Sequence, residues 1–394
     1  MACSSAGAPD GLGTPITSIG SAPDTTVAVI APGVTHYRFT DKSGPWEVNF
    51  VRVDLRRTDL MLRHVRALDQ LRGREKPSSM ARRISSPGVA ALVAVNADFF
   101  QTSGENENNQ VLDGEWWKGL KVTDSGFDTF DNVHAQFAMD AANHPCLDRY
   151  ALDATAWVRG VAMPVTNLNF SAAGTAEQTV LFTPRFGTTT TRDTTRSAAE
   201  APLRLAGRRG DTLVYVRRGV VANASGSAIP SDGAIFAAYG LGSRLHDVQA
   251  IADGDTVKIL LATLPRLPKN AAPSLIVGGW PRILSDGVIV AANSAALEGT
   301  IAANAEVRHP RTAVGFSRDS TTLLLLVVDG RSEQSVGMTI VELATLMRQL
   351  GAWHALNFDG GGSTSMVING AVVNTPSDPT GEREVGDALL VIRK

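Results

Sequence analysis

The segment with the clearest chemical use is Asp359-Gly360-Gly361-Gly362-Ser363-Thr364, which follows directly on an apolar stretch. An acid at a strand end is free to act on a reacting atom instead of packing. Three successive glycines can bend through positive φ and turn several amides toward one point, where the Ser363 and Thr364 hydroxyls join them. Such a nest suits an anion. No Gly-Lys-Ser/Thr follows, so it is not a nucleotide P-loop. Asp329, in Asp329-Gly330-Arg331, is a second strand-end acid, and Asp98, in Asn96-Ala97-Asp98, is a third. Arg311, Arg331 and Arg383 carry planar forks that match phosphate oxygens bidentately. Gly278-Gly279-Trp280-Pro281-Arg282 offers a tight turn with an aromatic surface of the kind sugars pack on, or else a hydrophobic anchor.

The surrounding elements must bring these residues together. Leu323 to Val328 is an unbroken apolar run and reads as a buried strand ending at Asp329. Thr339 and Glu342 form a capping-box pattern, followed at helical spacing by Ile340, Leu343, Met347 and Leu350 and stopped by Gly351. Trp353 to Phe358 is the next strand, ending at Asp359. Strand, helix and strand in that order predict a crossover joining parallel strands, with Asp329 and Asp359 on one sheet edge. Val89 to Val95 reads as a strand buried on both faces that empties into Asn96. Trp46 to Leu55 and Leu60 to Val65 read as hairpin partners, and Pro77 opens a short helix to Ile84. Val133 to Met139, Thr179 to Thr183, Leu213 to Arg217 and Asp255 to Ala262 read as further strands. The expected fold class is therefore α+β: one β-rich catalytic domain over 26–394, a β-rich middle section at 176–272, and a C-terminal strand-helix-strand unit carrying the site.

Composition limits the alternatives. Lys+Arg 37 against Asp+Glu 39 leaves no global positive field for nucleic acid. Charged ligands must be met locally. The apolar runs are far shorter than the ~20 residues a membrane-spanning helix needs. Two cysteines, Cys3 and Cys146, make neither a disulfide framework nor a four-thiolate zinc site. No HExxH or GxSxG motif occurs, the histidines are isolated, and His354 lies inside an expected strand as a core residue. Residues 1–25 are rich in Ala, Gly, Ser, Pro and Thr and read as a flexible tether. Ala2-Cys3-Ser4-Ser5 resembles the start of a mature bacterial lipoprotein, which would put a lipid anchor on Cys3 and the place of work outside the cytoplasm, periplasmic or at the cell surface; the alternative is an ordinary short cytosolic N-terminus.

Taken in order, the motifs resemble the phosphodiester glycosidase family. The matching stretches are Ala94 to Phe100, Gly278 to Leu284, His309 to Gly315, Val328 to Arg331, Gly337 to Leu343, Leu356 to Met366, Pro376 to Asp378 and Gly381 to Val385. The family commonly reads Val-Asn-Gly-Gly-Phe-Phe at the first of these, where this chain has Ala97 and Asp98. The resemblance implies hydrolysis between a sugar anomeric carbon and a phosphodiester, giving free sugar and a phosphate monoester. A phosphate ester leaves as a weakly basic anion and needs little general acid, but it does need charge stabilisation. The sugar centre passes through an oxocarbenium-like state that a carboxylate stabilises or attacks.

Asp359, Asp329 and Asp98 are the catalytic candidates. Asn96, Gly279, Arg282, Arg311, Thr312, Arg331, Gly360, Gly361, Gly362, Ser363, Thr364 and Arg383 are the candidates for substrate binding. No organic cofactor is implied. Acids meeting near Asn96 leave room for a divalent cation, which defines an alternative: metal-assisted hydrolysis at phosphorus. A surface glycan-binding module without turnover is the non-enzymatic alternative.

Overall fold

The computed structural model describes residues 25–123, 125–171 and 177–394. The expected tether and Cys3 lie outside the described residues, apart from Thr25. The chain divides into two units, one made of 1–108, 125–149 and 273–394, the other of 109–124 and 150–272. Strands dominate both, with a few short helices, so the fold is β-rich α+β.

In the first unit an eight-stranded antiparallel sheet holds Trp46–Asp54, Thr322–Val328, Arg311–Phe316 and His354–Asn357 as its central neighbours. A five-stranded sheet centres on Ala90–Asn96 and Asp387–Arg393. Leu323, Leu325 and Val327 point into a core shared with Val93, Val95, Leu389 and Val391 of the second sheet. The alternate residues Leu324, Leu326 and Val328 point the other way, onto Leu343, Ala344 and Met347. Both faces are covered, which is why the run reads as continuously apolar rather than alternating. Helix Ile340–Gln349 has the expected capping box: the Thr339 hydroxyl accepts from the Glu342 amide, and the Glu342 carboxylate accepts from the Thr339 amide.

Two expectations about strand partners are corrected. Leu60–Arg66 is not the hairpin partner of Trp46–Asp54; it pairs antiparallel with Asp387–Arg393, in the other sheet. A period-2 apolar pattern specifies which face is buried but carries no address for the partner strand. The strands before and after helix Ile340–Gln349 do run parallel but are not adjacent. Arg311–Phe316 lies between them, antiparallel to both. Only five residues separate it from Thr322–Val328, so these two close as a local hairpin and fill the place a neighbouring parallel strand would take.

This insertion matters for the site. It brings the start of Arg311–Phe316 to the edge where its two neighbours end. Arg282–Ser285 also begins there, since Arg282 pairs with Leu356.

In the second unit an eight-stranded sheet runs from Val161–Val165 through Ala151–Val158, Thr256–Leu264, Thr212–Arg217, Ala198–Arg209, Gly233–Tyr239 and Gln178–Phe182 to Asn167–Leu168. Residues 177–272 of the loosely matching middle section, the described part, belong to it. Its core packs Val180, Phe182, Ile235, Ala237 and Tyr239.

Candidate active site

Four chain segments meet at the sheet edge and enclose a cavity of about 260 Å³. Trp280 and Pro281 come from one, His309 and Arg311 from the second, Arg331 from the third, and Asn357 with Asp359 to Gly362 from the fourth; Phe99, Asn304, Ile340 and Arg383 complete the lining. Seven of the fifteen expected site residues face this cavity: Asp359, Arg311, Arg331, Gly360, Gly361, Gly362 and Arg383.

Asp359 is the one carboxyl lining the cavity among the described residues. Its backbone is held from both sides: its amide donates to the Ala97 carbonyl at 2.8 Å, and its carbonyl accepts from Asn96 Nδ2 at 2.6 Å. The Asp359 carboxyl is pushed up to about 6, chiefly by burial; the Ser363 hydroxyl, the Gly360 amide and the Arg383 charge partly oppose that rise. Ser363 thus bridges acid and cation, since its Oγ also accepts from Arg383 Nη1 at 3.4 Å.

The other two aspartates stand elsewhere. Asp329 takes both its bonds from a neighbouring segment, Asn374 Nδ2 at 2.8 Å and the Thr375 amide at 2.9 Å, and so pins that segment. Asp98 is buried behind the site. Its carboxylate accepts from Asn108 Nδ2 at 2.7 Å, and its amide donates to Asp387, which is bonded to His64. Burial, with Asp387 next in effect, pushes the Asp98 carboxyl well above the usual range.

The three arginines divide into two kinds. Arg311 is 4% exposed and donates to the carbonyls of Met338, Asn304 and Val307, so it ties down the turn before its own strand while its edge lines the cavity. Burial lowers its guanidinium to about 10. Arg331 and Arg383 are exposed. Arg331 has a left-handed backbone (φ 64°) and reaches His309 Nδ1 at 3.3 Å. Arg383 is aimed by Asp378 at 2.7 Å.

The glycine run works by close approach rather than as an open nest. The amides of Gly360, Gly361, Ser363 and Thr364 are already bonded within the protein, to Asp359 Oδ1 and to the carbonyls of Pro310, Gly360 and Gly361. A Cβ on Gly362 would lie 2.1 Å from Arg383 Nη2, and one on Gly361 would lie 2.9 Å from Arg331 Nη2. The glycines therefore make room for two guanidiniums beside the acid.

The remaining expected binders sit in the supporting layer. Thr312 Oγ1 donates to Asn96 Oδ1, which also accepts from the Ser365 amide, so Asn96 is a hub behind Asp359. Gly279 allows close contact with the Asn357 carbonyl. Arg282 is engaged with Asp148 at 3.0 Å. Thr364 and Ser363 are buried beneath the loop. Trp280 is both wall and anchor: it lines the cavity, donates Nε1–H to the Glu298 carbonyl and stacks on His134 at 5.0 Å.

Asn357 and His309 are among the lining residues that the sequence did not mark as site residues. Asn357 Nδ2 donates to the Trp280 carbonyl at 2.6 Å, which sets the amide orientation, and its buried Oδ1 has no partner among the described residues. The alternation of the 354–357 strand, which puts positions 357 and 359 on one side, was the available signal. His309 is bonded to the Ala303 carbonyl through Nε2 and faces Arg331 through Nδ1. Burial lowers its pKa, the bond to the Ala303 carbonyl partly opposes this, and the Arg311 and Arg331 charges add to the lowering. Among the described residues no three His, Cys, Asp or Glu side chains gather as a set of metal ligands.

Residues 210–392 match the family model described as phosphodiester glycosidase. The likeness to phosphodiester glycosidases thus covers this C-terminal part of the chain. Arg311, Arg331, Asp359, the three glycines and Arg383 all fall inside the match. A mouse N-acetylglucosamine-1-phosphodiester alpha-N-acetylglucosaminidase is 34% identical over 110 residues, 26% of this chain and 21% of that protein. A prophage-derived protein of Bacillus subtilis, YomE, is 39% identical over 89 residues, 23% of this chain and 14% of that protein. The aligned stretches thus span about a fifth or less of these relatives. Among solved structures, a hypothetical protein from Synechocystis shares the fold with a TM-score of 0.74 at 20% identity, over 95% of this chain and 64% of that one. A putative exported protein from Burkholderia pseudomallei aligns with a TM-score of 0.66 at 26% identity, over 88% of this chain and 74% of that one.

The split between the arginines predicts different outcomes. Arg331→Gln and Arg383→Gln should each raise KM for a charged phosphodiester substrate by roughly ten- to a hundredfold, the worth of a charge-assisted hydrogen bond. Neutral aryl glycosides of the same sugar should be little affected. Arg311→Ala should instead lower Tm markedly, because three carbonyls lose their donor. Equal KM changes on charged and neutral substrates would remove Arg331 and Arg383 from the phosphate.

Proposed function

We propose that the chain hydrolyses sugar-1-phosphodiesters at the bond between the anomeric carbon and the phosphate oxygen. The observation carrying this reading is that Asp359 and the guanidiniums of Arg331 and Arg383 face one cavity of about 260 Å³. The phosphodiester charge is matched by the two exposed arginines. As the C1–O bond breaks, its electron pair leaves with the phosphate oxygen, where those cations stabilise it. Positive charge grows at the sugar carbon, and the Asp359 carboxylate stabilises or attacks that centre. Water supplies hydroxyl to C1 and a proton to the released products. Asn357 Oδ1 is placed to accept from a hydroxyl or amide N–H of the sugar.

We also propose that the protein works outside the cytoplasm. The support is the likeness to a putative exported protein from Burkholderia pseudomallei. Among the described residues no helix is long and apolar enough to cross a membrane.

Hydrolysis in oxygen-18 water tests the bond assignment. Label is expected in the free sugar. Label in the phosphate monoester would place the attack at phosphorus and overturn the assignment.

A further inference from the structure

The second unit holds a larger cavity, about 430 Å³, that the hydrolytic reading does not use. That volume lies within the ~300–1,000 Å³ usual for small-molecule sites. It opens beside the hairpin joining Ala198–Arg209 to Thr212–Arg217. Its walls are apolar and aromatic: Trp116 is 7% exposed, Leu261 7% and Tyr215 3%. The Tyr215 hydroxyl, on a side chain this deeply buried, makes no hydrogen bond among the described residues.

The charges at the rim cancel. Glu115 is paired with Arg185 at 2.6 Å, and Asp232 with Arg204 at 3.1 Å. That leaves one lining carboxylate, Asp211, and one lining guanidinium, Arg208, without an ion-pair partner among the described residues. Arg208 donates only to the carbonyls of Gly210 and Gly114.

We propose that this cavity binds a neutral oligosaccharide. An anion would meet Asp211 and a cation Arg208, and neither gains net charge here. A plain hydrocarbon would cover the Asp211 carboxylate and the Tyr215 hydroxyl and leave them without a hydrogen bond, which is costly. A sugar matches every feature: C–H faces for Trp116 and Tyr215, and hydroxyls for Tyr215, Asp211 and Arg208. The inference is independent of the chemistry assigned to the other cavity.

The test uses the full chain carrying Asp359→Asn, with maltotriose, cellotriose and tri-N-acetylchitotriose as probes, followed by calorimetry and tryptophan fluorescence. At least one probe should bind at a single site. Tyr215→Phe should weaken that binding roughly three- to tenfold, the range for one hydrogen bond. Asp211→Asn, at an open hairpin tip where the fold is not at risk, should weaken it similarly. In a chain with Asp359 intact, neither change should alter turnover of a small aryl sugar phosphodiester. Absence of binding by all three probes would overturn the proposal. So would binding that both substitutions leave unchanged, because the sugar would then sit elsewhere.

Discussion

Asp359→Asn is expected to abolish hydrolysis while making the folded protein more stable at neutral and alkaline pH. Loss of a group that acts on the reacting atoms typically costs on the order of 10⁴-fold or more in kcat. The stability gain follows from the same environment. The Asp359 carboxyl is raised to about 6 from an ordinary 3.8, with burial the leading cause. Between these values the folded chain binds more protons than the unfolded chain, so stability falls as pH rises through this window. Above it, the protein carries a half-buried charge that asparagine lacks. The shift corresponds to on the order of 1–3 kcal/mol, the lower part applying because the carboxyl faces a cavity that water can screen.

Denaturant unfolding of both proteins at pH 4 and pH 8 should therefore give a difference that is small in acid and clear in base. A carboxylate acting in its ionised form also requires kcat/KM to fall about tenfold per pH unit below about 6. Full turnover in the folded variant would remove Asp359 from the chemistry. A rate that climbs as pH drops through 6 would recast it as a proton donor.

A wide spread of rates with leaving group is the second large effect. A positioned general acid usually contributes ~10²- to 10⁴-fold. The cavity offers poor candidates for one. Asp359 is its one lining carboxyl among the described residues. The His309 pKa is lowered by burial first and by neighbouring arginines second, and its Nε2 is committed to the Ala303 carbonyl. Phosphodiester and activated aryl glycosides leave as stable anions and should be cleaved. Simple alkyl glycosides of the same sugar should lag by that factor of ~10²–10⁴, because their alkoxides need a proton on departure. A matched series sharing one sugar, measured as kcat/KM, decides the matter. Comparable rates for alkyl and phosphodiester members would mean that an acid is present and that the roles of Asp359 and His309 must be exchanged or shared.

Much of the site was legible in the sequence because it depends on short-range chemistry. A strand-end acid followed by glycines, arginines beside turn residues, and a capping box each state their local structure through sterics and hydrogen-bonding capacity alone. Such signals identified Asp359, Arg331, Arg383 and the helix Ile340–Gln349, and the apolar runs marked the strands that carry them. Three-dimensional packing decided the rest. Whether Leu60–Arg66 paired with Trp46–Asp54 or with Asp387–Arg393 depended on which sheet had an open edge, and the alternating pattern contains no such information. The division of three aspartates into one at the cavity, one pinning Thr375 and one buried against Asn108 and Asp387 depended on contacts between residues tens to hundreds of positions apart. The same holds for Arg311, whose neighbours in sequence are those of a surface cation but whose guanidinium is enclosed by carbonyls. The glycines illustrate both levels: their freedom to bend is written in the residue type, but the atoms they make room for, the guanidiniums of Arg331 and Arg383, arrive from distant segments that only the folded chain brings within reach.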